Sequence, residues 1–260
     1  NWNGISNAAY HLTANFPDKS PTVNPVSDHS TSITGIAESN LKIYAYIGSK
    51  RLGYATSFNG KYSIPISKQT AGTLITVYSI DPQGNQSGNV MVKVLDKTPP
   101  PKPNVNPVSD QSTTITGTAE SNSKVFAYIG NKMIGYATAN GGKFTIKITK
   151  RVAGTVLNIY VQDAAGNRSG ATAVKVLDKN PPSPPTVNTI TSKTIYITGK
   201  AEPNSTVYIY NGNKIIGSGK VDGKGNFKIK IASQRKGTIL KIYAQDAAKN
   251  RSSAKIVKVY

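Results

Sequence analysis

The chain has 260 residues, 32 Lys plus Arg against 12 Asp plus Glu, a formal charge of +20, two histidines and no cysteine. Without cysteine there are no disulfides, thiol catalysis, iron–sulfur clusters or cysteine zinc sites, and His11 and His29 are the only imidazoles, so most enzyme chemistry at neutral pH lacks its usual groups. The charge favours anionic partner surfaces, and no run reaches the roughly 18 apolar residues that a membrane span needs.

Residues 1–18 stand outside the pattern that governs the rest of the chain. They read as the tail of a preceding domain or a linker. The start at Asn1, with neither a methionine nor a positively flanked apolar segment, points to a processed protein or an excised fragment. Leu12, Ala14 and Phe16 alternate like a short strand, and Asp18-Lys19-Ser20-Pro21 echoes a later linker opening, Asp96-Lys97-Thr98-Pro99.

From there the chain repeats itself with a period of 82 residues. Ile33-Thr34-Gly35-Ile36-Ala37-Glu38 recurs as Ile115-Thr116-Gly117-Thr118-Ala119-Glu120 and as Ile197-Thr198-Gly199-Lys200-Ala201-Glu202. Asp81-Pro82-Gln83-Gly84-Asn85 recurs as Asp163-Ala164-Ala165-Gly166-Asn167, and as Asp246-Ala247-Ala248-Lys249-Asn250 after one inserted residue near Gly225. A fixed period outranks residue-by-residue reading. The boundaries that follow are 19–101, 102–183 and 184–260.

Within each repeat the apolar pattern has period two, as in Val125-Phe126-Ala127-Tyr128-Ile129 and Leu157-Asn158-Ile159-Tyr160-Val161, so successive side chains take opposite faces of a sheet. The second repeat shows seven such segments, around Val105, Ile115, Val125, Ile134, Phe144, Leu157 and Val174, at the spacing of a β-sandwich. Gly141-Gly142 and Gly223-Lys224-Gly225 read as hairpin turns, not as phosphate loops. The fold class is all-β: three tandem Ig-like β-sandwiches in an elongated array. Two proline-rich linkers, Thr98-Pro99-Pro100-Pro101-Lys102-Pro103 and Asn180-Pro181-Pro182-Ser183-Pro184-Pro185, favour extended spacers, and three sandwiches of roughly 35 to 40 Å give a reach on the order of 100 Å.

Together Pro-x-Val, Ile-Thr-Gly-x-Ala-Glu, Asp-x-x-Gly-Asn-x-Ser and a closing Val-x-Val-x-Asp resemble the bacterial Ig-like domain of surface and secreted proteins, especially Gram-positive ones. The resemblance covers all three repeats. It implies an extracellular, secreted or cell-wall-associated protein in which such sandwiches display or attach an upstream module, some with adhesive activity. The third repeat departs from the pattern at Lys249, where the motif has glycine, and lacks the closing linker, which places Tyr260 at or near a natural C-terminus by this reading.

Ten of the twelve acidic residues sit at positions shared between repeats, among them Asp28 and Asp110, Glu38 and Glu120, and Asp96 and Asp178. Repetition of this kind marks a structural role. Asp-x-x-Gly-Asn reads as a turn whose Asp accepts backbone amides, in preference to a calcium loop, because calcium wants several converging carboxylates. His29 reads as a solvated loop residue. No Gly-x-Ser-x-Gly elbow or His-Glu-x-x-His occurs, so no catalytic residue, metal or cofactor is expected, and the segment is read as non-catalytic.

Charge is uneven. Repeat by repeat from residue 20, basic and acidic residues number 7 and 4, 10 and 4, then 14 and 3, a net of +3, +6 and +11. Lys214, Lys220, Lys224, Lys228, Lys230, Arg235 and Lys236 form the candidate polyanion-binding set. If Phe227, Ile229 and Ile231 face a core, Lys228 and Lys230 project outward about 7 Å apart. An anionic cell-wall polymer is the expected partner, with teichoic and lipoteichoic acids following from the family resemblance; nucleic acid is not expected, since no recognition module appears. The competing site is a glycan-binding face of Tyr208, Tyr210 and Tyr243, the counterparts of Tyr44, Tyr46 and Tyr78 in the first repeat, flanked by Lys258 as Lys93 flanks the first. The competing functions are an adhesin for host or environmental glycans and the C-terminal accessory region of a secreted enzyme.

Overall fold

A computed structural model describes residues 20–260. The expectations for residues 1–18, and His11, lie outside the described residues. Contacts divide the chain into two compact units: one runs to Pro100 and takes in Gln162–Ser169, and the other comprises Pro101–Val161 with Gly170–Tyr260.

In the first unit, β1 (Ser32–Ile36) pairs antiparallel with β4 (Lys61–Pro65). Opposite them lies a four-stranded sheet of β2 (Lys42–Ile47), β3 (Lys50–Thr56), β5 (Leu74–Ile80) and β6 (Val90–Lys93), in the order β3-β2-β5-β6. The opening segment also lies along β1, through Thr22 N to Ile36 O and Asn24 N to Thr34 O, both 2.8 Å. It then crosses to the other sheet and runs parallel to the last strand, where Leu95 N donates to Val26 O at 2.8 Å. This crossover seals the sandwich edge. Ile33, Ile43, Ala45, Ile64, Ile75 and Val77 are buried between the sheets.

The second unit holds two further sandwiches built the same way. One consists of β7 (Asn104–Val105), β8 (Thr114–Thr118), β9 (Lys124–Ile129), β10 (Lys132–Thr138), β11 (Lys143–Lys147), β12 (Val156–Gln162) and β13 (Thr172–Lys175), ordered β11-β8-β7 and β10-β9-β12-β13. The seven apolar segments of the sequence coincide with these seven strands. The other consists of β14 (Thr186–Val187), β15 (Tyr196–Lys200), β16 (Thr206–Asn211), β17 (Lys214–Lys220), β18 (Asn226–Lys230), β19 (Ile239–Gln245) and β20 (Lys255–Lys258), ordered β14-β15-β18 and β17-β16-β19-β20. Each has its own buried core, centred on Ile115, Val125, Leu157 and Ile159 in one and on Ile197, Ile209, Leu240 and Ile242 in the other.

The turns follow their residues. Gly141 and Gly142 have φ of +55° and +77° and close a two-residue connection between Asn140 and Lys143. The residue inserted near Gly225 is absorbed at the same place. There the connection lengthens, Asp222 N bonds to Asn226 O at 2.9 Å, and the core register beyond it is kept.

One close approach recurs in all three sandwiches. The opening segment presses on the glycine of the second segment so tightly that a Cβ on Gly117 would lie 2.0 Å from the Asn104 carbonyl oxygen and 2.8 Å from Phe144 Cζ; Gly35 and Gly199 are hemmed in alike. Backbone cannot yield as a flexible side chain does, so Gly117→Ala is expected to lower the stability of its sandwich by about 3 kcal/mol. Chemical unfolding of the intact chain, followed transition by transition, checks this.

Where the other two sandwiches have Phe144 and Phe227 beneath that glycine, the first has Tyr62, whose hydroxyl donates to Thr22 O at 2.7 Å. Burial pushes the Tyr62 hydroxyl pKa up to about 12. A pKa raised on folding means the unfolded chain releases its proton first, so this contribution is complete below about pH 10 and is lost as pH rises through 12. The first sandwich is therefore expected to weaken between those limits. Tyr62→Phe, which restores the residue of its siblings, should reduce that loss in a pH series of thermal unfolding, leaving the smaller part due to Tyr78.

Candidate functional site

The shared carboxylates are occupied by backbone. Asp81 Oδ1 accepts from the amides of Gln83 at 2.9 Å and Asn85 at 2.8 Å, while Oδ2 accepts from the Asn85 side chain at 2.8 Å. Burial acts to raise the Asp81 pKa, but these donors outweigh it and hold the carboxyl below its usual value. Asp163 with Asn167, and Asp246 with Asn250, repeat the arrangement at 2.7–2.9 Å. Lys249 takes φ of +70° where Gly84 and Gly166 have +92° and +91°, so a bulky residue carries the left-handed conformation at a strain of about 1 kcal/mol.

Asn167 Nδ2 also donates to Asp96 O at 3.2 Å and Oδ1 at 3.3 Å, and Asn250 Nδ2 does the same to Asp178 at the same distances. An amide nitrogen thus fills the point on which these oxygens converge. Asp28 and Asp110 hold the linker amides of Lys97 and Lys179, each at 3.0 Å. His29 is exposed, with Nε2 3.1 Å from Thr98 Oγ1 and 4.0 Å from Asp28 Oδ1. Among the described residues no three His, Asp or Glu side chains are grouped to hold a metal ion, and no helix is long and apolar enough to cross a membrane.

The outer face of each four-stranded sheet carries aromatics. In the first repeat Tyr54, Tyr44, Tyr78 and Tyr46 form a row of offset, near-parallel rings, with centroids 5.7–5.8 Å apart and planes 14–27° apart. Burial and a hydrogen bond to Tyr46 raise the Tyr78 pKa. In the third repeat Tyr208 sits opposite Tyr243 in register, and Tyr210 meets Tyr243 edge-on at 5.6 Å. Arg251, which sequence reasoning does not single out, lies 3.7 Å from the Tyr243 centroid and 4.8 Å from that of Tyr210. The guanidinium covers one face of the Tyr243 ring. Its one sequence signal is its place directly after the motif asparagine. Lys258 is exposed on β20 at the edge of this sheet.

The seven basic candidates divide between the two sheets. Lys214 and Lys220 lie on β17 of the four-stranded sheet, Lys228 and Lys230 on β18 of the three-stranded one, and Lys224, Arg235 and Lys236 in connecting segments; all seven are exposed. Phe227, Ile229 and Ile231 are buried, which turns Lys228 and Lys230 outward. Cross-strand register adds residues that a linear window over 214–236 misses. Thr198 faces Lys228, Tyr196 faces Lys230 and Lys200 faces Asn226. The Lys228 ammonium lies 4.7 Å above the Tyr196 ring. Asn188 Nδ2 donates to Thr198 Oγ1 at 2.8 Å, and the same bond joins Asn24 to Thr34 and Asn106 to Thr116. A shallow groove flanks this pair in each repeat, of about 670, 270 and 380 Å³ from first to third.

Three antiparallel sandwiches, each pairing a four-stranded sheet with a smaller one edged by the opening segment, define a tandem immunoglobulin-like protein. The chain belongs to the bacterial Ig domain family, whose model matches residues 17–96, 99–178 and 181–260. It is 31% identical over 156 residues to a cell wall-associated protease of Bacillus subtilis (strain 168), a match covering 59% of this chain and 17% of that protein. The fold resembles an immunoglobulin tandem from the titin I-band, with 15% identity, a TM-score of 0.50, and coverage of 93% of this chain and 98% of that one. A glutamate-to-alanine variant of the same tandem gives 14% identity and a TM-score of 0.51, over 92% and 98% of the two chains.

The amide-filled turns carry a prediction. Because Asn167 and Asn250 already satisfy the converging oxygens, millimolar calcium and a chelator should leave the thermal unfolding midpoints the same. A calcium-dependent rise would show that the asparagines give way to a cation.

Proposed function

We propose that this chain is a non-catalytic accessory region of a bacterial surface protein, and that its third repeat holds an anionic cell-wall polymer by electrostatic attraction. One observation carries the reading: Lys214, Lys220, Lys224, Lys228, Lys230, Arg235 and Lys236 are all exposed, and none forms an ion pair with a carboxylate among the described residues. Their charge is available to a partner. Family membership and the cell-wall association in the name of the Bacillus subtilis relative support a surface location. The chain spans only 17% of that relative, so proteolysis is not carried over to it.

Many weak contacts of this kind are screened over about 10 Å at 0.1 M salt. The chain is therefore expected to be retained on purified Gram-positive cell walls at low ionic strength and released progressively as salt rises. Walls extracted of their anionic polymers should retain little of it. No retention even at low salt overturns the proposal.

A further inference from the structure

The three repeats present the same outer face on the smaller sheet, with the opening segment along it, and differ chiefly in its charge. Its central row is Asn24, Thr34 and Ser63 in the first repeat, Asn106, Thr116 and Thr145 in the second, and Asn188, Thr198 and Lys228 in the third. On either side, Ile36, Lys61 and Pro65 become Thr118, Lys143 and Lys147, then Lys200, Asn226 and Lys230. The face thus carries one lysine, then two, then three.

In the third repeat Lys200, Lys228 and Lys230 surround neutral hydrogen-bonding groups. Strand parity turns them outward together with Thr186, Asn188, Thr198 and Asn226, since Ile197, Phe227 and Ile229 between them are buried. The carboxylate in the turn before β18, Asp222, is engaged by the amides of Asn226 at 2.8 Å and Lys224 at 2.9 Å, and these bonds, led by Asn226, hold its pKa below the usual value. It is already spoken for. Asn188 lines the groove and donates its side-chain N–H to Thr198, and its side-chain oxygen is an acceptor by chemistry.

We infer that this face of the third repeat, and not the basic residues at large, is the polymer-binding site, and that its ligand is a phosphate-linked polyol chain. The inference rests on the electrostatic reading above. Ammonium groups meet the phosphate oxygens, and Asn188 and Thr198 accept and donate to the hydroxyls between phosphates. Such alternation of point charges with neutral donors and acceptors matches a polymer that alternates charge with hydroxyl. The one aromatic on the face, Tyr196, is covered by Lys228, so a stacked base finds no open ring.

The test uses the intact chain and a lipid-free poly(glycerol phosphate). Lys200→Glu with Lys230→Glu should weaken binding at least roughly tenfold, since each substitution reverses a charge facing the anionic polymer. Lys241→Glu with Lys255→Glu, an equal charge change on the four-stranded sheet, should change it little. Equal losses from both pairs overturn the face assignment while leaving delocalised attraction standing, and absence of binding by the unaltered chain overturns that attraction too. For the polyol, Asn188→Ala should weaken binding roughly fivefold through one lost hydrogen bond, yet leave binding of inorganic polyphosphate unchanged. Parallel losses, or no loss, overturn the polyol assignment.

Discussion

A strand side chain has two directions available, and that restriction governs the chemistry of this surface. Once Phe227, Ile229 and Ile231 are committed to the core, Lys228 and Lys230 are compelled outward on one side. The same rule places Tyr208, Tyr210 and Tyr243 outward on the opposite sheet, because Val207, Ile209 and Ile242 are buried. Core and surface are therefore two readings of one pattern. A sandwich can be recoated residue by residue without disturbing what holds it together.

The repeats show that separation at work. Their aspartates are nearly constant in position because each shared one binds backbone amides. Asp81, Asp163 and Asp246 shape a turn, while Asp28 and Asp110 pin the linkers. Lysines carry no such duty and accumulate from first repeat to third. The residues beneath the invariant glycine show the same separation on a smaller scale. Tyr62, Phe144 and Phe227 fill equivalent space, and only the hydroxyl of Tyr62 introduces sensitivity to alkali.

Both outer faces are open surfaces, and they differ in what they leave available. On the four-stranded sheets, Tyr44, Tyr46, Tyr54 and Tyr78 pack ring by ring in the first repeat, and Tyr210 and Tyr243 lie under Arg251 in the third. On the three-stranded sheet of the third repeat, Lys200, Lys228 and Lys230 are exposed around the Asn188–Thr198 pair, with the Lys228 ammonium over Tyr196. Attraction for an anionic polymer needs no enclosed pocket, since each contact is weak and the polymer supplies many.

The sequence by itself determined the repeat, the alternation and the strand count, because a period of 82 and a period of two are both properties of a line. The seven strands of the second repeat were all legible there, as was the turn role of Asp-x-x-Gly-Asn, since that carboxylate bonds within five residues. Tertiary structure alone decided which outward residues share a face. Lys220 and Lys228 are close in sequence yet belong to different sheets, while Lys200 and Asn226 face each other from separate strands. Strand pairing joins residues according to how loops return the chain, and no linear window records that return.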